Sequence, residues 1–423
     1  MIQAGFWRGF FPLLATLSIA PVSAQIDIAL IARLGTGAPA SYALLSRIAM
    51  LDAALAAGIG AVASVAVAKT SDPSNRAKIV GHLWVVAVVA GLLASACGAL
   101  AYPAILRFVG GAAEVADFAN AALGWHLVAI PFRILSGVGL FILFALDKGG
   151  AALSWKFFEI AMKAALAYAF VYPLGFGFSG VFAASLAAAL AGAAASFAMV
   201  GFRNEARPRL PPWPVVRAIV VDALSEAARI LSPQLLVLAS FALFASPWIG
   251  RFELSRVDCY AAGQTLILLA LTPFTALTRF LAIRLASAPI DRIRPLLRQG
   301  LPVALVAALL LQLSGDRLGA ALYHSEGRWW STFVAALAIS LPIRFVANVF
   351  RGALQAAGRF PDAAMTDALA AACVALPLTA LGLHLDMPAV AYLALVAPEA
   401  VCAMLLSSRL AGTRGVRRTA FQI

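Results

Sequence analysis

Ionisable side chains inside long apolar segments are the residues of this sequence best placed to do chemistry. Asp27, Arg133, Arg344 and Glu399 each interrupt such a segment. A charged group in hydrocarbon costs from about 2.5 to more than 10 kcal/mol, so it must face a water-filled cavity, pair with an opposite charge or titrate. A desolvated carboxylate can exchange a proton or a cation, and a guanidinium matches the geometry of carboxylates and phosphates.

Two of these arginines occupy matching local sequences, Pro131-Phe132-Arg133 and Pro342-Ile343-Arg344. Proline bends a helix and frees a backbone carbonyl, so it can direct a long side chain inward. One interpretation is a positively charged central cavity for anionic groups. The other is interhelical ion pairing, with Asp52 and Glu399 as partners. Arg47 and Arg279 also fall inside apolar segments.

Asp27 has a functional and a structural interpretation. It is either a carboxylate that exchanges a proton or cation, or an acid near the membrane surface that Arg33 or a helix end satisfies. Glu159 and Lys163 are one helical turn apart, which predicts a pair between them. His126 is expected to be a packed residue, and Trp329-Trp330 and Trp213 are expected to be anchors at the membrane interface.

Composition explains why these charges must lie in a membrane. Of the 423 residues, 63% are hydrophobic and 12% are charged, and the mean hydropathy is +0.93. A soluble domain cannot hide that much apolar surface. The uncharged segment 164–202 exceeds a single crossing of about 30 Å, and its turn signals at 172–180 divide it into two helices.

The chain divides into about twelve apolar segments, the first near Gly9–Leu34 and the last near Met387–Leu410. A basic, proline-rich linker at 203–217 separates two halves, 1–202 and 218–423. The lysines and arginines concentrate in alternate connections, which predicts that both termini and the linker are cytoplasmic. The net charge of +13 follows from these helix-end arginines, so no nucleic-acid partner is expected.

The two halves repeat each other. Pro73-x-x-Arg76-x-Lys78 and Pro289-x-x-Arg292-x-Arg294 follow the second and eighth segments, and the two Pro-x-Arg sequences lie inside the fourth and tenth. Six segments separate the equivalents, so both halves have the same topology. The prediction is an all-α membrane protein of two six-helix bundles related by a pseudo-two-fold axis along the membrane normal.

Catalysis is not indicated. No hydrolytic triad, metal-ligand cluster or phosphate-binding glycine loop is present, and no Walker sequence supplies ATP chemistry. The four cysteines have no metal-binding spacing. The sequence therefore favours a transporter over an enzyme, without a cofactor.

The ordered features resemble the multidrug and toxic compound extrusion (MATE) family of the flippase-exporter superfamily. Pro12 and Asp27 are followed by Ala32-Arg33-Leu34-Gly35 and Ser41-Tyr42-Ala43-Leu44, as in that family's first helix and following loop. The segments 146–150 and 354–359 resemble its glycine-bearing turns after helices four and ten. The resemblance covers nearly the whole chain.

The resemblance implies a secondary exporter of a small organic molecule that works by alternating access, with Pro12 as a helix bend and Asp27 as the coupling acid. The family's fifth helix often carries an Asn and an Asp, where this chain has Tyr168 and Tyr172. Its sodium-coupled branch often has an acid where this chain has Gln234. The coupling ion is thus either a proton or sodium.

The predicted substrate cavity takes in Arg47, Arg133, Gln234, Arg279, Arg344 and Glu399. The arginines favour an anionic substrate. The alternative function is a flippase for lipid-linked oligosaccharide or polysaccharide precursors. A monomer in a bacterial inner membrane is expected, with the lipid bilayer and the substrate as its partners.

Overall fold

The computed structural model describes residues 4–34, 38–109, 113–202, 208–246, 248–250, 254–287, 293–323 and 326–411. Within these residues the chain is almost entirely helical and has no strands. The helices are α1 (Ala4–Ile31), α2 (Ala38–Lys69), α3 (Pro73–Val109), α4 (Ala113–Ala145), α5 (Gly149–Val171), α6 (Phe178–Phe197), α7 (Trp213–Ala245), α8 (Leu254–Ala286), α9 (Ile293–Leu318), α10 (Arg328–Ala356), α11 (Phe360–Ala370), α12 (Leu376–His384), α13 (Pro388–Tyr392) and α14 (Ala397–Ala411).

Short irregular turns join the last four helices into two membrane-length elements. A π-helical turn at Ala371–Ala375 connects α11 to α12, and a 3₁₀ turn at Leu393–Leu395 precedes α14. The N–H of Leu376 donates to the carbonyl of Ala371, five residues earlier. Pro377 follows at once and has no N–H of its own, so it cannot continue the regular ladder.

Eleven segments in the described residues are long and apolar enough to cross a membrane. Helix α5 is the exception, although its 23 residues are of spanning length. It carries Lys156, Glu159 and Lys163, whose charges lower its apolar content. With α5 the described residues contain twelve helical elements of membrane-spanning length, so the predicted class of multi-pass, all-α membrane protein is confirmed.

The chain forms two compact units. One comprises Arg8–Ala227 and the other comprises Met1–Trp7 with Ala228–Ile423. The division thus falls within α7, ten residues after the end of the linker predicted at 203–217. Residues 203–207 of that linker lie outside the described residues.

One helix is central to each unit. In the first unit α2, α3 and α6 pack against α4, and in the second α8, α9 and α14 pack against α10. Glycine allows the closest approaches, as expected where membrane helices pack through small residues. A Cβ on Gly91 of α3 would lie 2.6 Å from the Cα of Pro131, and one on Gly352 of α10 would lie 3.0 Å from the carbonyl oxygen of Thr278. These contacts place neighbouring helices tightly against the arginine-bearing helices α4 and α10.

The prediction for Trp329 and Trp330 is wrong. Both side chains turn into the second unit, where they are 2% and 1% exposed, and Trp330 donates its indole N–H to the carbonyl of Gly315 at 3.0 Å. Trp329 packs on Phe244 and Tyr392, because the first turn of α10 faces α7 and α13 there.

Candidate functional site

Asp27 lies near the end of α1 and is 2% exposed. Its Oδ2 accepts hydrogen bonds from Lys163 Nζ of α5 at 2.6 Å and from the hydroxyl of Tyr42 of α2 at 2.7 Å. Lys163 also donates to the hydroxyl of Ser23 at 3.1 Å. Ser23 and Asp27 are one turn apart, so they share a face of α1. The cluster is therefore a buried carboxylate with an ammonium partner from another helix.

Helix α5 is fixed against α1 at a second point. The hydroxyl of Tyr172, at the end of α5, donates to the carbonyl of Leu30 at 2.7 Å. This contact and the Lys163–Asp27 pair together set the position of α5 along the final two turns of α1. Tyr172 is one of the two tyrosines at positions where the fifth helix of the MATE family often carries an Asn and an Asp. In this structure its hydroxyl joins α5 to α1.

The expected pairings of Asp27 and Lys163 are corrected by this geometry. Lys163 pairs with Asp27, and Glu159 pairs instead with Lys156 at 2.9 Å. The cation that pairs with Asp27 is therefore Lys163, and not Arg33 as the structural interpretation of the sequence suggested. Asp27 is the more deeply buried of the two acids, at 3% side-chain exposure against 13% for Glu159. Its negative charge therefore depends more strongly on a nearby cation for stabilisation.

Arg133 of α4 pairs with Asp52 of α2. Its Nη2 lies 2.8 Å from Asp52 Oδ2, and the hydroxyl of Tyr102 of α3 lies 3.4 Å from Oδ1. The same Nη2 approaches His126, one of whose ring nitrogens is 3.7 Å from Asp52. His126 is buried between Tyr102 and Phe182, which agrees with the prediction of a packed residue.

The guanidinium of Arg133 does not use all of its hydrogen-bond donors in the described structure. Its contacts run through Nη2, whereas Nε is buried and has no hydrogen-bond partner in the described structure. The side chain remains 31% exposed, in contrast to 3% for Asp52. Arg133 is thus an ion-paired cation that can still accept a further anionic ligand.

Arg344 belongs to a larger and more closed network. Its Nη1 donates to Glu399 Oε1 of α14 at 2.7 Å, its Nε to the hydroxyl of Ser340 at 3.2 Å and its Nη2 to the carbonyl of Leu395 at 3.3 Å. Every nitrogen of this guanidinium therefore has an acceptor. The pairing of Arg344 with Glu399, one of the two interpretations of the sequence, is confirmed.

Glu399 also binds Arg351, two turns further along α10. Arg351 Nη2 lies 2.9 Å from Glu399 Oε2, and the same guanidinium binds Asp367 of α11 at 2.8 Å. Arg229 of α7 approaches Asp367 at 3.7 Å. The sulfur of Cys402 lies 3.4 Å from Asp367 Oδ1. We call Arg229, Arg344, Arg351, Asp367, Glu399 and Cys402 the second-unit network.

The other predicted site residues are Arg47, Gln234, Arg279 and Pro12. Arg279 is buried in α8 and Gln234 is partly buried in α7. The side chain of Arg47, in α2, lies outside the described residues. Helix α1 is continuous through Pro12, and Thr16 donates its hydroxyl to the Pro12 carbonyl at 2.7 Å. The roles of these four residues in binding or bending stay predictions.

Sequence reasoning missed Arg351, Asp367 and the true partner of Asp27. The available signal was the one used for Arg344, a charge inside an apolar segment, and it applied equally to Arg351 and Asp367. The pairing of Lys163 with Asp27 joins residues 136 apart in the chain, so spacing along one helix could not show it. In the described residues no group of three or more His, Cys, Asp or Glu side chains could hold a metal ion.

Comparison with known proteins finds no matching family model and no matching curated protein. Solved structures do match along nearly the whole chain. A MATE transporter in a bent conformation has a TM-score of 0.85 at 16% identity and covers 98% of this chain and 96% of its own. A Vibrio cholerae MATE transporter has a TM-score of 0.83 at 16% identity and covers 99% and 98%.

A third similar structure is a MOP superfamily transporter from Pyrococcus furiosus, whose binding pocket is described as having reverse polarity that suggests a different function. Its TM-score is 0.81 at 16% identity, and the match covers 96% of this chain and 95% of that one. The chain therefore has the fold of the MATE transporters of the MOP superfamily.

Proposed function

We propose that this protein exports a small organic molecule by alternating access, coupled to the inward movement of a proton or sodium ion at Asp27. The observation that carries the proposal is the buried Asp27 carboxylate, joined to α2 and α5 through Tyr42 and Lys163. Intramembrane acids are costly and typically mark ion pathways. Binding of a cation at Asp27 competes with these contacts, so it can change how α1 sits against its neighbours.

The substrate that fits best carries a carboxylate or phosphate, with Arg133 as its contact. The side chain is 31% exposed, and the planar donors of a guanidinium suit bidentate anion binding. Arg344 fits a framework role better, since all three of its nitrogens are already bonded. The Pyrococcus furiosus transporter, whose binding pocket is described as having reverse polarity, is a precedent for a changed pocket in this fold.

The proposed setting is a bacterial inner membrane, with a monomer whose two termini are cytoplasmic. The concentration of lysine and arginine in alternate connections supports this orientation.

Asp27→Asn tests the coupling role. The change removes the titratable group at nearly constant volume, and the amide oxygen can still accept a hydrogen bond from Tyr42. Gradient-driven transport of candidate organic anions into inside-out vesicles should be lost, while the protein remains inserted and folded. Asp117→Asn is the matched control, because Asp117 is exposed in α4 and its replacement should leave transport unchanged. Undiminished gradient-driven transport by Asp27→Asn would remove Asp27 from the mechanism.

A further inference from the structure

The coupling acid already holds a cation that belongs to the chain. We propose that Lys163 takes the place of a sodium ion at Asp27 and moves to Glu159 when Asp27 is protonated, so that protons and not sodium drive transport. This inference rests on the proposed role of Asp27 and goes further by choosing the ion and naming the residue that selects it.

The oxygens of the site are oriented by the lysine. The ammonium contacts Asp27 Oδ2 at 2.6 Å and the hydroxyl oxygen of Ser23 at 3.1 Å, while Tyr42 donates to the same Oδ2 at 2.7 Å. Hard metal cations bind through several oxygen lone pairs at once. Here Asp27 Oδ2 already accepts two hydrogen bonds and the Ser23 oxygen accepts one, so the ammonium competes with a metal ion for the same oxygens.

Electrostatic repulsion also disfavours sodium binding at Asp27. A sodium ion beside Lys163 would bring two cations together around one buried carboxylate, and like charges repel more strongly where water is scarce. Protonation of Asp27 does not leave two cations beside one carboxylate. It bonds covalently to Asp27, which becomes a neutral carboxylic acid, and the ammonium is then free to leave.

Glu159 offers the released ammonium a second position. It lies four residues before Lys163 on α5, so the two side chains are neighbours on one helix face. Glu159 Oε1 binds Lys156 at 2.9 Å, but Oε2 is buried and has no hydrogen-bond partner in the described structure. A buried carboxylate oxygen without a hydrogen-bond partner, one turn from a lysine, can accept a hydrogen bond from that lysine.

The surrounding helices contribute few competing groups among the described residues. From α2 the group facing Asp27 is Tyr42, whose ring packs on Phe182 of α6 at 6.0 Å. From α5 the charged groups are Lys163 and the Lys156–Glu159 pair. Protonation of Asp27 therefore redistributes one ammonium between two carboxylates.

Sodium binding can be measured without transport. The purified full-length protein is heated in detergent with increasing NaCl, with choline chloride holding the ionic strength constant. The wild-type midpoint should not depend on sodium. Lys163→Met should acquire a midpoint that rises with sodium, because a ligand that binds only the folded state stabilises it. Adding Asp27→Asn to Lys163→Met should abolish that rise.

Lys163→Arg is the matched control, since it keeps the charge and should remain insensitive to sodium. Lys163→Gln replaces Lys163→Met if the latter does not fold. A sodium-dependent wild-type midpoint that Asp27→Asn removes would overturn the proposal, as would sodium insensitivity in a folded variant without the lysine charge. These results stand whether or not the protein transports the chosen substrate, so they separate this inference from the proposed function.

Glu159→Gln tests the second position. With no carboxylate to receive the ammonium, protonation of Asp27 becomes less favourable, and the pH midpoint of transport should move to lower pH. Glu326→Gln, at the edge of the second unit, is the control and should leave the midpoint in place. An unchanged midpoint in Glu159→Gln would refute the movement of Lys163 to Glu159.

Discussion

The second-unit network gives the sharpest test of which matched arginine is structural. Glu399 holds Arg344 at 2.7 Å and Arg351 at 2.9 Å, and its side chain is 13% exposed. In Glu399→Gln, Arg351 keeps Asp367, whereas Arg344 keeps only a hydroxyl and a backbone carbonyl. Arg344 then becomes a buried cation without a charged partner.

The expected size of the effect follows from these partners. Breaking a buried pair costs about 3–5 kcal/mol, and the smaller value applies here because glutamine still offers one acceptor oxygen. Arg344→Gln should cost less, about 2 kcal/mol, because Glu399 retains Arg351. Since the double variant leaves neither charge stranded, it should cost about 3 kcal/mol, which gives a coupling energy of about 2 kcal/mol.

The free energy of unfolding can be followed by SDS titration in mixed micelles. The exposed pair Arg328–Asp386 is the control, with side chains 49% and 29% exposed and a coupling expected below about 1 kcal/mol. A loss of stability in Arg344→Gln/Glu399→Gln that is about 2 kcal/mol smaller than the sum of the two single losses, with transport retained, would establish Arg344 as a framework residue. Strictly additive losses would refute the pairing argument, and the same coupling with transport lost would return Arg344 to the substrate site.

Two further outcomes can be checked more directly. Reporter fusions at Arg209 and at the C-terminus should be cytoplasmic and one at Gly250 external, because the basic connections lie inside; an external C-terminal reporter would contradict the twelve-helix orientation. Arg133→Gln should weaken binding of an anionic substrate by roughly tenfold or more through loss of charge-assisted hydrogen bonds worth about 1.5–3 kcal/mol, measured by calorimetry, with Arg133→Lys retaining part of the affinity. Equal affinity in Arg133→Gln would exclude this arginine as the anion contact.

The class of fold was predictable because run length and composition decide it. Helices that face lipid must be apolar over about 20 residues, and that signal survives without any knowledge of tertiary contacts. Helix α5 shows the limit of the rule. Its Lys163 has a buried partner on another helix, so a charged segment can still be a membrane-length element. The charge of Lys163 lowers the apolar content of the segment, whereas in the folded structure Asp27 neutralises that charge.

The candidate site was predictable as a set of residues and not as a set of pairs. Glu399 and Asp52 were recognised as partners for arginines because both lie in apolar segments. The pattern could not show that Glu399 is shared by Arg344 and Arg351, since that depends on how α10, α11 and α14 pack. It also could not distinguish Arg133 from Arg344, whose local sequences match while their surroundings differ.

The charge of the substrate and the identity of the coupling ion together determine how the cycle responds to voltage. Exchange of one inward proton for one outward monoanion moves two positive charges inward, which is worth about 4.6 kcal/mol per 100 mV at about 2.3 kcal/mol per charge. A potassium diffusion potential, negative inside and set by valinomycin without a pH gradient, should therefore drive export from proteoliposomes that hold the protein in its cellular orientation. One proton exchanged for a monovalent cation would move no net charge, so that cycle would not respond. A rate independent of the imposed potential would thus refute the pairing of an anionic substrate at Arg133 with proton entry at Asp27.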